Sequence, residues 1–298
     1  MSKAWFTLAA VFTNVILLTA AVQFAACQSA TVSPEALIRR TVDNEIKSNT
    51  DGGKFMFCDH KHTPHGDETK LLIETQEATA GLVIARNGRP LSAEERQTEL
   101  AREQRFVSNP AELRKKISRE QEDREHTIQI IKALPDAFLY EAAGTEPGKE
   151  GMGKVGDDLV RLNFHPNPRY IPPSRVEQVL TAMQGHVLID ATQNRIARID
   201  GTLSRDVEFG WGILGRLDQG GHFLVEQSDE GGGQWELTHM NLQFQGRLLL
   251  VKKLLIESEE TFANFRSVPA NLTFSEGLHM LQTEEARINQ HDEEAKSK

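Results

Sequence analysis

The sequence is poor in cysteine, with 2 in 298 residues, at Cys27 and Cys58. Once Cys27 is acylated or removed with a leader, no intrachain disulfide is possible, and stability has to come from burial. Cys58, set in Phe55-Met56-Phe57-Cys58, reads as a small buried hydrophobe rather than a reactive thiol. Basic excess is also missing: 34 Lys and Arg stand against 43 Asp and Glu, for a net charge of -9. Phosphate contacts need clustered Lys and Arg, so nucleic acid is excluded as a partner. Beyond Thr31 no apolar run approaches the roughly 20 residues that span a bilayer, so the mature body reads as soluble.

Catalytic signatures are absent as well. There is no Ser nucleophile elbow. Gly210-Trp211-Gly212 and Gly231-Gly232-Gly233 do not sit between a strand and a helix at the spacing of a phosphate cradle, and read as bends or hairpin turns. Asp200, Asp206, Glu208 and Asp218 fall in extended segments without the matched partner that a hydrolytic carboxylate pair needs. The sequence therefore points to a non-enzymatic protein with no cofactor.

What is present begins with a leader. Met1-Ser2-Lys3-Ala4-Trp5 carries one cation ahead of the apolar run Phe6 to Phe24, the build of a secretory signal segment over 1–27. Phe24-Ala25-Ala26-Cys27 resembles the lipobox of bacterial lipoproteins, with an aromatic where an aliphatic is usual. Three outcomes are open: acylation of Cys27, simple cleavage between Cys27 and Ala30, and an uncleaved anchor. Each places the body outside the cytoplasm. In the enterobacterial lipoproteins that this segment resembles, Asp after the cysteine retains the protein at the inner membrane. Gln28 stands there instead, which points to the outer membrane, facing the periplasm.

After the leader, Ser33-Pro34-Glu35 and a stripe of Leu37, Ile38, Val42 and Ile46 predict a helix over 34–48. Extended stretches follow at 54–60, 70–78 and 81–86, and Asn87-Gly88 is a reverse-turn signal. Ser92-Ala93-Glu94-Glu95 is a capping box, and Asn109-Pro110 opens a second helix ending before Pro135. The middle of that helix, Ser118 to Thr127, lacks an apolar stripe, so 92–134 reads as a charged helical hairpin insertion lying in solvent or on a partner. Beyond Ala137 extended runs dominate, and those from 186 to 256 have the short spacing of an antiparallel meander. Leu248 to Ile256 is apolar at both parities apart from Lys252 and Lys253, which predicts a strand covered on both faces. The polar segment 276–298 is expected to be disordered.

Val187-Leu188-Ile189-Asp190-Ala191-Thr192, Arg195 to Gly201, Trp235-Glu236-Leu237-Thr238 and Gly246-Arg247 with Leu248 to Lys252 together resemble the second half of the LolA/LolB-like family of periplasmic lipoprotein-sorting and carrier proteins. The resemblance is one of element order and strand pattern. It implies an α+β fold over 28–275: an incomplete antiparallel β-barrel, a curved meander sheet covered by helices. The concave apolar face would receive a lipid, a lipoprotein acyl chain or another apolar ligand. The long insertion at 92–134 departs from that family and is a candidate surface for a second envelope protein. Function cannot be read from such a fold alone.

Two groups of side chains are candidates for a site. Phe209, Trp211, Phe223, Trp235, Leu242 and Phe244 either line a ligand cavity or fill the core beneath the sheet. His60 and His62 share a strand face, with His65 at the next turn, and are weak candidates for a metal against the plainer reading of a solvated strand end.

Overall fold

A computed structural model describes residues 33–210, 214–248 and 252–296. The expected leader, with Cys27, and Trp211 lie outside the described residues. Helix α1 (Pro34–Asp51) opens the body, and its buried positions Leu37, Ile38, Thr41, Val42 and Glu45 keep to one helical face. Strands β1 (Lys54–Thr63), β2 (Gly66–Glu74) and β3 (Thr79–Arg86) follow as antiparallel neighbours. Asn87 and Gly88, with φ of 49° and 71°, then turn the chain into the short β4 (Arg89–Pro90), as the paired left-handed conformations of a tight hairpin require.

Helix α2 (Ala93–Ser108) begins at the Ser92/Glu95 capping box, with both reciprocal hydrogen bonds made. Helix α3 (Pro110–Ala137) is capped by Asn109, whose side chain accepts from the Ala111 amide. It passes through Pro135 rather than stopping before it. Two carbonyls at its end find side-chain donors: Tyr140 Oη donates to Leu134 O at 2.9 Å and Asn167 Nδ2 to Asp136 O at 2.9 Å. Strands β5 (Phe138–Pro147) and β6 (Asp158–Pro166) come next, then α4 (Arg175–Gln178) with a 3-10 turn at Val179–Ala182. The rest is mostly strand: β7 (Met183–Asp190), β8 (Arg195–Leu203), β9 (Val207–Phe209), β10 (Gly215–Leu217), β11 (His222–Asp229), β12 (Trp235–Leu248) and β13 (Lys252–Val268), followed by α5 (Phe274–Lys296).

The strands form one curved antiparallel sheet in the order β4-β3-β2-β1-β13-β12-β11-β8-β7-β6-β5, with β10 pairing β12 and β9. The sheet does not close into a barrel, and β4 and β5 end the row. The architecture is thus α+β with an antiparallel sheet, as the meander pattern predicts.

Two apolar clusters hold helices on this sheet. One joins α1, the end of α3 and the strands β5 to β8, through Ile38, Leu134, Phe138, Leu162, Leu180 and Ile189. The other joins β1 to β3 with α2, α5 and the start of α3, through Leu71, Ile73, Leu82, Phe274 and Leu281. Helix α3 belongs to both, with Leu113 and Ile117 in the second cluster and Ile130, Ala133 and Leu134 in the first.

That packing corrects three expectations. Segment 92–134 is built into the body rather than set off as a hairpin insertion: Leu100, Phe106 and Val107 of α2 pack on the second cluster, so its charge hides a short apolar face. The charged middle of α3 is nonetheless mostly exposed, as its lack of a stripe requires. The tail from 276 is helical through Lys296 rather than disordered. Phe274, Leu278 and Leu281 are buried at helical spacing, and Glu284 and Glu285 reach Arg266 and Arg96 at 2.8 Å each. Finally, Leu248, Leu255 and Ile256 are exposed, so this stretch is not covered on both faces. A strand that is covered on both is β7, where Val187 and Ile189 face the first cluster and Leu188 meets Met152, Leu159, Ala197 and Trp235 on the other side.

Candidate functional site

Between α1, α3 and the concave side of the sheet lies a cavity of about 1280 Å³. That exceeds the roughly 300–1,000 Å³ of a site for a drug-sized molecule. Alternation along β11 and β12 directs Phe223, Val225, Met240, Leu242 and Phe244 to its floor, and Phe209 and Leu217 extend that floor from β9 and β10. The α1 stripe and Ile130, Ile131 and Leu134 of α3 form the opposite wall.

Of the residues singled out from the sequence, Phe209, Phe223, Trp235, Leu242 and Phe244 all line this cavity. Phe209, Phe223 and Phe244 also pack against the first cluster, so the same side chains serve core and cavity. The histidines are not brought together with it. His60 and His62 are exposed on β1, His60 with Nδ1 3.1 Å from Thr69 Oγ1 and His62 with Nδ1 against the Asp67 carboxylate, and His65 stands in the following turn. Among the described residues, no group of three or more His, Cys, Asp or Glu is placed to hold a metal ion. Asp206 and Asp218, considered as hydrolytic carboxylates, both pair with Arg216.

No family model matches the sequence, and no curated protein matches it. The likeness to lipoprotein carriers therefore rests on the strand pattern alone, and the site must be read from its own chemistry.

One end of the cavity is polar, and sequence reasoning missed it. Glu45 projects from the buried face of α1 and accepts from Arg195 Nε at 3.0 Å and from the Ile196 amide at 2.8 Å. Burial pushes its carboxyl up, against the opposing pull of Arg195. The Arg195 guanidinium lies 5.6 Å from the centre of the Trp235 ring, whose indole donates to Gln193 Oε1 at 2.9 Å. Nearby, Glu74 accepts from the Phe55 amide at 2.9 Å, and burial raises its carboxyl too. Glu236 follows Trp235 on β12. Burial first, and the neighbouring Glu74 second, lift its carboxyl from 4.5 to about 7.

The signal for Glu45 was present in the sequence: it lies three residues beyond Val42 and seven beyond Ile38, inside the apolar stripe. A charged residue there is buried and needs a partner. Nothing local marks Arg195 as that partner, because the pair is separated by 150 residues.

Proposed function

We propose that this chain is a non-enzymatic binding protein of the cell envelope that holds a lipid, a lipoprotein acyl chain or another apolar ligand in a half-barrel cavity. The carrying observation is the large cavity whose floor is apolar along β11 and β12, with a polar group of residues at one end. Apolar surface kept open in this way forfeits contacts that a filled core would make, and a chain-shaped apolar guest restores them. The leader and the lipobox-like Phe24 to Cys27 put the body outside the cytoplasm, tethered through an acylated Cys27 to the periplasmic face of the outer membrane.

Protein made in cells and examined by native mass spectrometry should carry co-purifying lipid, and delipidated protein should bind a fluorescent alkyl-chain probe with an uncharged headgroup. Phe223→Asp, which places a charge on the cavity floor, should abolish probe binding. A homogeneous lipid-free mass together with no probe binding would sink the reading.

A second reading is favoured by the exposed charge of α3, where Arg119, Glu122, Asp123 and Glu125 all face solvent. Here 92–134 contacts an envelope protein and the cavity is structural. Because α2 and α3 belong to the clusters, charge reversal at these positions is the discriminating change rather than deletion. Loss of partner recovery with probe binding intact supports the interaction module.

A further inference from the structure

The polar end of the cavity lies where the sheet splays. Strand β13 pairs with β12 only up to the Thr261–His239 pair, and its remaining length runs along β1. The segment from Trp235 to Thr238 is left beside the start of β1, bridged by the Gly53 amide donating to Gln234 Oε1 at 3.1 Å. Glu74 and Glu236 face this opening.

Internal pairing there leaves a specific remainder. Arg195 is engaged by Glu45, by Gln227 Oε1 at 3.4 Å and by the Trp235 ring. Lys54 and Arg124 offset Glu74, with Glu120 opposing them. The Glu236 carboxyl makes no hydrogen bond or ion pair among the described residues, and the charges it feels are Glu74 and Glu230 against the already engaged Arg195. A second, independent unpaired group lies on α1: Thr41 lines the same cavity, is fully buried, and its hydroxyl has no partner among the described residues. It sits one helical turn before Glu45. Buried polar groups without partners are costly, and those that persist call for a complement. The complement to a free carboxylate beside further acidic groups is a cation with hydrogen-bond donors.

Resting on the reading of this cavity as a lipid site, we propose that its ligand is an amphiphile with a protonated amine headgroup, the ammonium being held by Glu236 and the alkyl chain lying on the β11–β12 floor. An anionic headgroup set against Glu236 would meet that carboxylate with Glu74 beside it, and be disfavoured there. Neutral Glu236 gives no such attraction, so the preference exists only above the pH at which this carboxyl ionises.

The test titrates delipidated protein with dodecylamine, dodecanol and dodecanoate, which share one chain length and differ in headgroup. A primary amine stays protonated through this pH range, as lysine does. At pH 8 dodecylamine should bind roughly tenfold or more tightly than dodecanol, the worth of one charge-assisted hydrogen bond, with dodecanoate weakest. The amine-to-alcohol ratio should collapse toward one in Glu236→Gln, and in the unaltered protein as pH falls below 7. Glu74→Gln supplies a second variant, expected to reduce the ratio partially. Dodecanoate binding as well as dodecylamine, or a ratio unchanged in Glu236→Gln, overturns the headgroup assignment while leaving the lipid site standing. No binding of any of the three overturns both.

Discussion

At the scale of single residues, the free energy of this fold is tied to pH through Glu236. Its folded carboxyl titrates near 7 because burial disfavours the anion, against 4.5 for an unperturbed side chain. Between those values the native protein holds a proton that the unfolded chain releases, so stability falls as pH rises through the window and levels off above it. Glu236 keeps some contact with solvent, and screening leaves about 1–2 kcal/mol of this effect. Glu236→Gln is neutral at every pH and lacks the slope. Urea unfolding at pH 5 and pH 8 should show the variant gaining about 1–2 kcal/mol on the unaltered protein between the two. A gap that stays constant with pH would place the group in water instead.

At the scale of elements, α5 carries the plainest prediction. Leu281 is fully buried among β2, β3 and Phe274, so Leu281→Ala should cost about 2–5 kcal/mol, read as a lower urea midpoint with an unchanged slope. A disordered tail would give no change. The sequence concealed this helix because Glu284 and Glu285 occupy buried positions, which the tertiary partners Arg266 and Arg96, with Arg287 of the same helix, make tolerable. In α2 the buried Glu99 and Glu103 pair with Arg102 of the same helix, and Glu99 also accepts from the Val83 amide of β3 at 3.1 Å. Elements with clean periodicity or turn chemistry were legible: α1, the Asn87–Gly88 hairpin, and the meander from β7 onward. The cavity aromatics were legible as an apolar strand face, but alternation looks the same over a core and over a void, so the cavity itself was not. Its polar end depends on Glu45 meeting Arg195 and on β12 parting from β13, long-range events that local pattern does not encode.

At the scale of the whole molecule, the matter is where the cavity is held. With Cys27 acylated, the protein carries a diacylglycerol, and each buried methylene contributes roughly 0.8 kcal/mol, so two or more long chains give attachment that is effectively permanent. Residues 28–33, even fully extended, reach roughly 20 Å, a length that keeps the body close to the bilayer from which a lipid would come. A soluble carrier needs no such tether, because it shuttles between membranes, whereas a fixed acceptor or sensor gains from high local concentration at one surface. The anchored reading therefore makes the chain a station rather than a shuttle. Palmitate labelling with fractionation decides between them. The unaltered protein should take up label and sediment with the outer membrane, and Cys27→Ser should lose the label and leave that fraction. If the unaltered protein takes up no label and both forms are recovered in the soluble periplasm, the leader is simply cleaved, Cys27 is not the anchor, and the cavity belongs to a protein free to diffuse.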